Sequence, residues 1–62
     1  MGFKEARKKA GLTMMEAGKR LGITDAAVAQ WESGATMPAA KRLLDVAKVY
    51  GCTVDELLKT EE

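Results

Sequence analysis

Glycines interrupt this chain at short distances. Gly11, Gly22, Gly34 and Gly51 each follow a segment of roughly two to four helical turns, and glycine is favoured just beyond a helix end. The single proline, Pro38, stands where a new segment begins, which is a further signal of a helix boundary. A chain divided in this way is expected to fold into several short helices.

Threonines mark the starts of three of these helices. The sequences Thr13-x-x-Glu16 and Thr53-x-x-Glu56 are capping boxes, in which the hydroxyl and the carboxylate each accept a bond from a backbone N–H group that the helix leaves unpaired. Thr24 can cap a helix start through its hydroxyl alone. The predicted helices are Gly2–Ala10, Met14–Leu21, Asp25–Ser33, Ala39–Tyr50 and Val54–Lys59.

Apolar residues recur at helical spacing, which supports this assignment. The faces expected to be buried contain Phe3, Ala6 and Ala10; Ala17, Gly18 and Leu21; Val28 and Trp31; Leu43, Leu44, Ala47 and Tyr50; and Val54, Leu57 and Leu58. β-Branched residues are few and do not alternate, so no strand is expected. Because only Gly22-Ile23-Thr24 separates the second helix from the third, the predicted fold is an all-α, compact five-helix bundle that contains a helix-turn-helix.

Length and composition exclude several kinds of protein. The 62 residues suffice for a single domain, residues 1–62, whose core leaves little space for a substrate cavity. With no histidine and one cysteine, a His/Cys zinc site, a Ser–His–Asp triad and an internal disulfide are all impossible. We therefore expect no enzyme, cofactor, metal or small-molecule ligand. The apolar runs are too short for a membrane span or a signal peptide, which predicts a cytoplasmic protein.

Charge is unevenly distributed along the chain. The net charge is only +1, which by itself argues against a nucleic-acid partner. Residues 1–23, however, contain six basic and two acidic residues, whereas residues 24–62 contain four basic and seven acidic ones. The first two helices thus carry a net charge of +4, so one end of the molecule can attract phosphate. A set of solvated helix faces accounts for the same charges.

Several short motifs follow one another in a defined order. They are Ala6-Arg7, Gly11-Leu12-Thr13, Leu21-Gly22-Ile23-Thr24, Val28, Trp31-Glu32, Gly34, Pro38 and Val54-Asp55-Glu56-Leu57-Leu58. Each is weak alone, but in this order and at this spacing residues 3–58 resemble the helix-turn-helix family of Cro and phage repressors, the XRE-type regulators. The resemblance implies a lambda-repressor-like bundle whose third helix enters the major groove of double-stranded DNA.

The resemblance also implies structural roles. Arg7 and Glu32 occupy positions where the family commonly has an ion pair between the first helix and the end of the third. Val28 and Trp31 occupy positions that seat the third helix on the core. A core role for Trp31 is favoured over a base-stacking role, because the chain contains only one Trp, one Tyr and one Phe.

The residues that would read bases lie on the other face of the third helix. The family's base-reading positions fall on Asp25, Ala26 and Gln30, with Ala29 beside them. Gln30 can pair with adenine, and the two alanines can touch only thymine methyl groups. Asp25 can accept from cytosine, or it can simply stabilise the positive N-terminus of the helix. The helix contains no Lys or Arg, so the bidentate contact to guanine is missing.

Contacts to the DNA backbone would have to supply much of the affinity. The residues expected to face phosphates are Thr13, Met14, Thr24, Ser33, Thr36, Lys41 and Arg42. Lys41 is the preferred cation and Arg42 the second, while the loop 33–37 is expected to supply backbone N–H groups. The family usually has glutamine at the position of Met14, so one usual amide contact to phosphate is absent. It usually has alanine at the position of Gly18.

One recognition helix reads too few base pairs for specificity in a genome. The resemblance therefore implies a homodimer on a pseudo-palindromic operator, with the fifth helix as the expected interface. The predicted function is sequence-specific binding of double-stranded DNA by a transcriptional regulator. The alternative is a degenerate helix-turn-helix module, antitoxin-like or bound to a protein partner, with weak or no DNA binding. The absence of Lys and Arg from the third helix, together with Asp25 and Met14, would suit that alternative.

Overall fold

The computed structural model describes residues 2–59, and these residues form five α-helices and no strand. The helices are α1 (Phe3–Lys9), α2 (Met14–Leu21), α3 (Asp25–Ser33), α4 (Ala40–Tyr50) and α5 (Val54–Leu58). They occupy 29 × 22 × 20 Å, which confirms the predicted five-helix bundle. Within these residues no helix has the length and apolar character needed to cross a membrane.

Three predicted helices extend one residue too far, the first at both ends and the other two at one end. The prediction Gly2–Ala10 is too long at both ends, because Gly2 is extended (φ −123°, ψ −174°) and Ala10 is the C-terminal cap. The fourth and fifth helices exclude Ala39 and Lys59, whose ψ angles of 157° and 129° are also extended. Each of these residues is a half-helical cap, which sequence periodicity does not separate from the helix proper.

The predicted caps hold the helix starts. The Thr13 hydroxyl accepts from the Glu16 N–H at 3.1 Å, and the Glu16 carboxylate accepts from the Thr13 N–H at 2.9 Å. Thr53 and Glu56 repeat this box at 3.1 and 3.0 Å. Because the backbone N–H groups stabilise the carboxylates, the pKa of Glu16 and that of Glu56 lie below the ordinary value of 4.5. Thr24 caps α3 through its hydroxyl alone.

The core lies where the five helices meet. Its buried apolar residues are Phe3, Ala6, Ala17, Leu21, Val28, Val46, Ala47, Tyr50 and Leu57. Three residues predicted to face the core do not, since Ala10 is exposed and Leu44 and Leu58 are 60% and 45% exposed. Adjacent helical residues point about 100° apart, so where two leucines are adjacent only one can point directly at the core. Leu43 and Leu57 take the inner positions.

Candidate nucleic-acid interface

Glycines end both helices of the helix-turn-helix. Gly22 (φ 73°) closes α2 and Gly34 (φ 85°) closes α3, each in the left-handed region that glycine adopts without strain. The N–H groups of Gly22 and Ile23 bond back into α2, the latter to the Gly18 carbonyl at 2.9 Å. The turn is therefore tight, and it delivers the chain directly to the Thr24 cap of α3.

Gly18 allows the turn to lie against α2. A Cβ atom at this position would stand 2.8 Å from the Ile23 carbonyl oxygen and 3.3 Å from the Asp25 nitrogen. Both atoms belong to the backbone and cannot rotate away as a side chain would. The turn in this chain thus approaches α2 more closely than the family's usual alanine would permit.

The inner face of α3 anchors it to the bundle. Val28 has no exposed surface, and the half-buried Trp31 packs against Phe3 with ring centroids 6.2 Å apart at 44°. This geometry is a tilted aromatic contact between α1 and α3. Trp31 therefore holds α3 in place, and its position against the core leaves it unsuited to stacking on a base.

The outer face of α3 brings the residues expected to read bases together. Asp25, Ala26, Gln30 and Ser33 are exposed, and Ala29 is half-buried between them. The side chains on this face are small or neutral except for Asp25, which lies in the first turn of α3. The face can thus lie close to another surface, and it offers one long hydrogen-bonding side chain, that of Gln30.

An ion pair fixes the far end of α3. The Arg7 Nε donates to Glu32 Oε2 at 2.6 Å, and the Arg7 Nη1 donates to the Leu12 carbonyl at 2.8 Å. Arg7 is buried, and its hydrogen bond to Glu32 raises the pKa of its guanidinium. Three segments of chain, α1, the loop after it and α3, are thereby joined through one side chain.

The loop after α3 bonds inward. The Gln30 carbonyl accepts from the N–H groups of Ala35 (3.0 Å) and Thr36 (3.4 Å) and from the Ser33 hydroxyl (3.1 Å). These two N–H groups are therefore paired within the chain, and the contact of loop 33–37 with a phosphate stays a prediction. Such a termination satisfies carbonyls that the helix end leaves unpaired, and sequence alone does not show which carbonyl is used.

Exposed hydroxyls flank the helix-turn-helix. Thr13 and Thr24 each accept a bond from a backbone N–H, so their own O–H groups stay available to donate. The Thr36 side chain is exposed as well. Met14, at the first position of α2, is 38% exposed and offers no donor.

The start of α4 differs from the starts of the other helices. Its cap residue, Ala39, makes no side-chain bond, as is also true of Gly2 before α1, and its first turn contains no acidic residue. The other four helices each have an acid in the first turn. In α4 these positions include Lys41 and Arg42, so the positive end of the helix is reinforced by cations instead of neutralised.

Arg42 is not directed outward as an isolated cation. Its Nη1 donates to the Leu21 carbonyl at 2.7 Å, across 21 residues of sequence, and the residue is half-buried. The sequence predicts Arg42 only as a second phosphate contact. No local pattern could have identified its partner, because α2 and α4 meet only in the folded chain.

Comparison with known proteins places this geometry in a family. A helix-turn-helix family model matches residues 3–57. The chain belongs to this helix-turn-helix family. It is 38% identical over 53 residues to repressor protein C2 of Salmonella phage P22. The aligned residues make up 86% of this chain and 24% of that protein.

Other members of the helix-turn-helix family include activators. Over 60 residues the chain is 32% identical to BcrR of Enterococcus faecalis, an HTH-type transcriptional activator, covering 97% of this chain and 29% of that protein. The chain thus spans only 24% and 29% of these two relatives.

Solved structures of the P22 repressor share this fold. The crystal structure of the P22 c2 repressor in complex with a synthetic operator matches with a TM-score of 0.84 and 34% identity, over 95% of this chain and 89% of that one. The solution structure of its DNA-binding domain matches with a TM-score of 0.83 and 35% identity, over 92% and 75%. These matches confirm the predicted fold and family.

Proposed function

We propose that this chain is the sequence-specific, double-stranded-DNA-binding part of a transcriptional regulator, that it acts in the cytoplasm without an enzymatic step, and that α3 enters the major groove. The observation that carries the proposal is the exposed outer face of α3. It is held rigidly by Val28, Trp31 and the Arg7–Glu32 pair, in a fold shared with a repressor crystallised on its operator.

The outer face of α3 selects A·T pairs in preference to G·C pairs. Gln30 is placed to bond adenine N6 and N7, while Ala26 and Ala29 provide methyl groups that fit beside thymine methyls. No Arg or Lys is available on α3 for guanine. Asp25 either accepts from a cytosine N4 or serves only the helix N-terminus.

Neutral donors and few cations hold the DNA backbone. The O–H groups of Thr13 and Thr24 lie at the starts of α2 and α3, and Lys41 lies in the uncapped first turn of α4. Thr36 offers a further exposed hydroxyl, and Ser33, whose hydroxyl donates to the Gln30 carbonyl, can reach a phosphate only by releasing that bond. Each neutralised phosphate contributes about 0.9 to the slope of log affinity against log salt, so the slope of a single protomer is expected to be shallow.

A second copy of the chain is the proposed partner on DNA. A groove of about 250 Å³ runs between the ends of α1, α3 and α5. Its apolar lining includes Phe3, Trp31 and Leu57, and the exposed Met37 and Leu58 stand at its edge. Isologous contact at this edge would cover the exposed apolar side chains and place two α3 helices on one pseudo-palindromic operator.

Selection from a random duplex library, followed by fluorescence anisotropy of the selected duplex at several salt concentrations, tests the proposal. We expect enrichment of a symmetric A·T-containing site and binding at least a hundredfold tighter than to a scrambled duplex. Equal affinity for both duplexes, or no retention of DNA at low salt and at concentrations that dimerise the protein, would overturn it.

A further inference from the structure

Arg42 links two elements that the proposed function needs in a fixed arrangement. Its guanidinium reaches from the first turn of α4 to the carbonyl of Leu21, the last residue of α2. The nearby turn N–H groups are already used, because Gly22 and Ile23 both bond back to the Gly18 carbonyl. The guanidinium supplies the Leu21 carbonyl with a donor that the turn does not.

Helix electrostatics explain why an Arg at this position faces inward. A cation in the first turn opposes the dipole of its own helix, whereas a cation at a carboxyl end is favourable. Arg42 lies in the first turn of α4 yet places its charge at the carboxyl end of α2, where the backbone is negative. Lys41, its neighbour, is exposed and has no such contact among the side-chain hydrogen bonds of residues 2–59.

We propose that Arg42 is a positioning residue for DNA binding: it caps the carboxyl end of α2 and so holds the helix-turn-helix against the start of α4, without itself neutralising a phosphate. This inference rests on the proposed function. In addition to core packing, the bond of 2.7 Å then helps to set the placement of α3, which reads bases, relative to Lys41, which meets the backbone.

The test compares R42M with K41A. Methionine keeps an aliphatic side chain along α4 and removes the donor, and R42Q, which retains an amide donor, is the milder variant. Anisotropy against the duplex selected by the unaltered chain gives affinity and salt slope. Amide hydrogen exchange of the free protein follows Ile23, whose N–H bonds Gly18 at the end of α2, and Cys52, whose N–H bonds Ala47 in the same way at the end of α4.

If Arg42 positions the helices, R42M weakens binding about tenfold, or about 1.4 kcal/mol, with an unchanged salt slope. Its Ile23 amide exchanges about tenfold faster, whereas its Cys52 amide is unaffected. K41A lowers the salt slope by about 0.9 and leaves both amides unchanged.

Two results would overturn the inference. One is a salt slope that falls by about 0.9 in R42M, as expected of a phosphate contact. The other is an unchanged exchange rate of the Ile23 amide in both R42M and R42Q, a measurement that needs no DNA. Failure of the unaltered chain to bind any duplex would overturn the proposed function and with it the role of Arg42 in DNA binding, but the exchange data would still decide whether Arg42 caps α2.

Discussion

The guanidinium of Arg7 and the carboxylate of Glu32 lie side by side, with Nε 2.6 Å from Oε2 and Nη2 3.2 Å from Oε1. The two side chains are 8% and 7% exposed, and the residues are 25 positions apart in the chain. The bidentate geometry orients both groups, and burial protects the pair from solvent screening. Together these residues tie α1 to the last turn of the helix proposed to read DNA.

Removal of one member of the Arg7–Glu32 pair should destabilise the protein strongly. We expect R7M to lower the free energy of unfolding by about 3 kcal/mol, because it leaves the Glu32 carboxylate buried without its partner. Urea denaturation measures this. The double variant R7M/E32M should recover part of the loss, since no lone charge is then buried. Additive losses in the double variant would show that the two charges are not coupled.

Gln30 should contribute to sequence preference and not to stability. Its side chain is exposed and lies on the outer face of α3. We expect Q30A to weaken binding to the selected duplex by about 1–3 kcal/mol and to relax the preference for A·T at one position in each half-site. Its melting temperature should stay unchanged. Binding to the selected duplex with unaltered affinity would remove Gln30 from the base-reading residues.

Leu58 and Leu44 form a matched pair for testing dimerisation. They are 45% and 60% exposed, but only Leu58 lines the groove between α1, α3 and α5. Sedimentation equilibrium should show that L58E raises the dimer dissociation constant at least about tenfold, because a charge would be buried in the interface. L44E should leave it unchanged. Equal effects of the two variants would contradict the proposed interface.

Tyr50 should make stability fall at high pH. Its hydroxyl is buried and has no hydrogen-bond partner among residues 2–59. Burial, reinforced by the nearby Glu32 charge, raises its pKa from 10.0 to about 12. The folded chain therefore keeps this proton between pH 10 and 12 while the unfolded chain loses it. The stability that comes from keeping this proton is fully present below pH 10, and the free energy of unfolding falls by about 2–3 kcal/mol as the pH rises to 12.

Y50F isolates this contribution. The variant lacks the titrating group, so its unfolding free energy should decline less between pH 10 and 12 than that of the unaltered chain. At pH 7 it should be about 1 kcal/mol more stable, since the change removes a buried unpaired hydroxyl. Destabilisation at pH 7 together with an unchanged alkaline decline would argue that the hydroxyl has a partner.

Gly18 should resist replacement by a residue with a Cβ atom. Alanine would gain about 1 kcal/mol of helix propensity, but overpacking against the Ile23 carbonyl costs about 1–3 kcal/mol. We expect G18A to lose about 1 kcal/mol net, which lowers the melting temperature by about 4–8 °C in a domain of this size. G18S should lose more. A rise in melting temperature for G18A would show that the turn moves away at little cost.

Most of the secondary structure could be predicted from local sequence signals. Thr13 with Glu16, and Thr53 with Glu56, satisfy backbone groups within one helical turn, so their bonds follow from spacing alone. The exposed face of α3 was likewise predictable, because burial of Val28 on a helix directs Gln30 away from the core. The family match followed from the same short-range motifs in order.

Contacts between distant segments form only when the helices pack together. Arg42 bonds Leu21 instead of facing solvent, and Leu58 is exposed although it shares the helical period of buried Leu57. Gly18 lies under a carbonyl of the turn. Periodicity assigns a residue to a sector of its helix, but the surfaces of the other helices determine which neighbour fills that sector. The five helices, the threonine caps and the candidate reading face could be predicted from the sequence, because each depends on residues within about one turn. Packing decided how the helix-turn-helix is held and which apolar residues remain uncovered, because both depend on where separate helices meet.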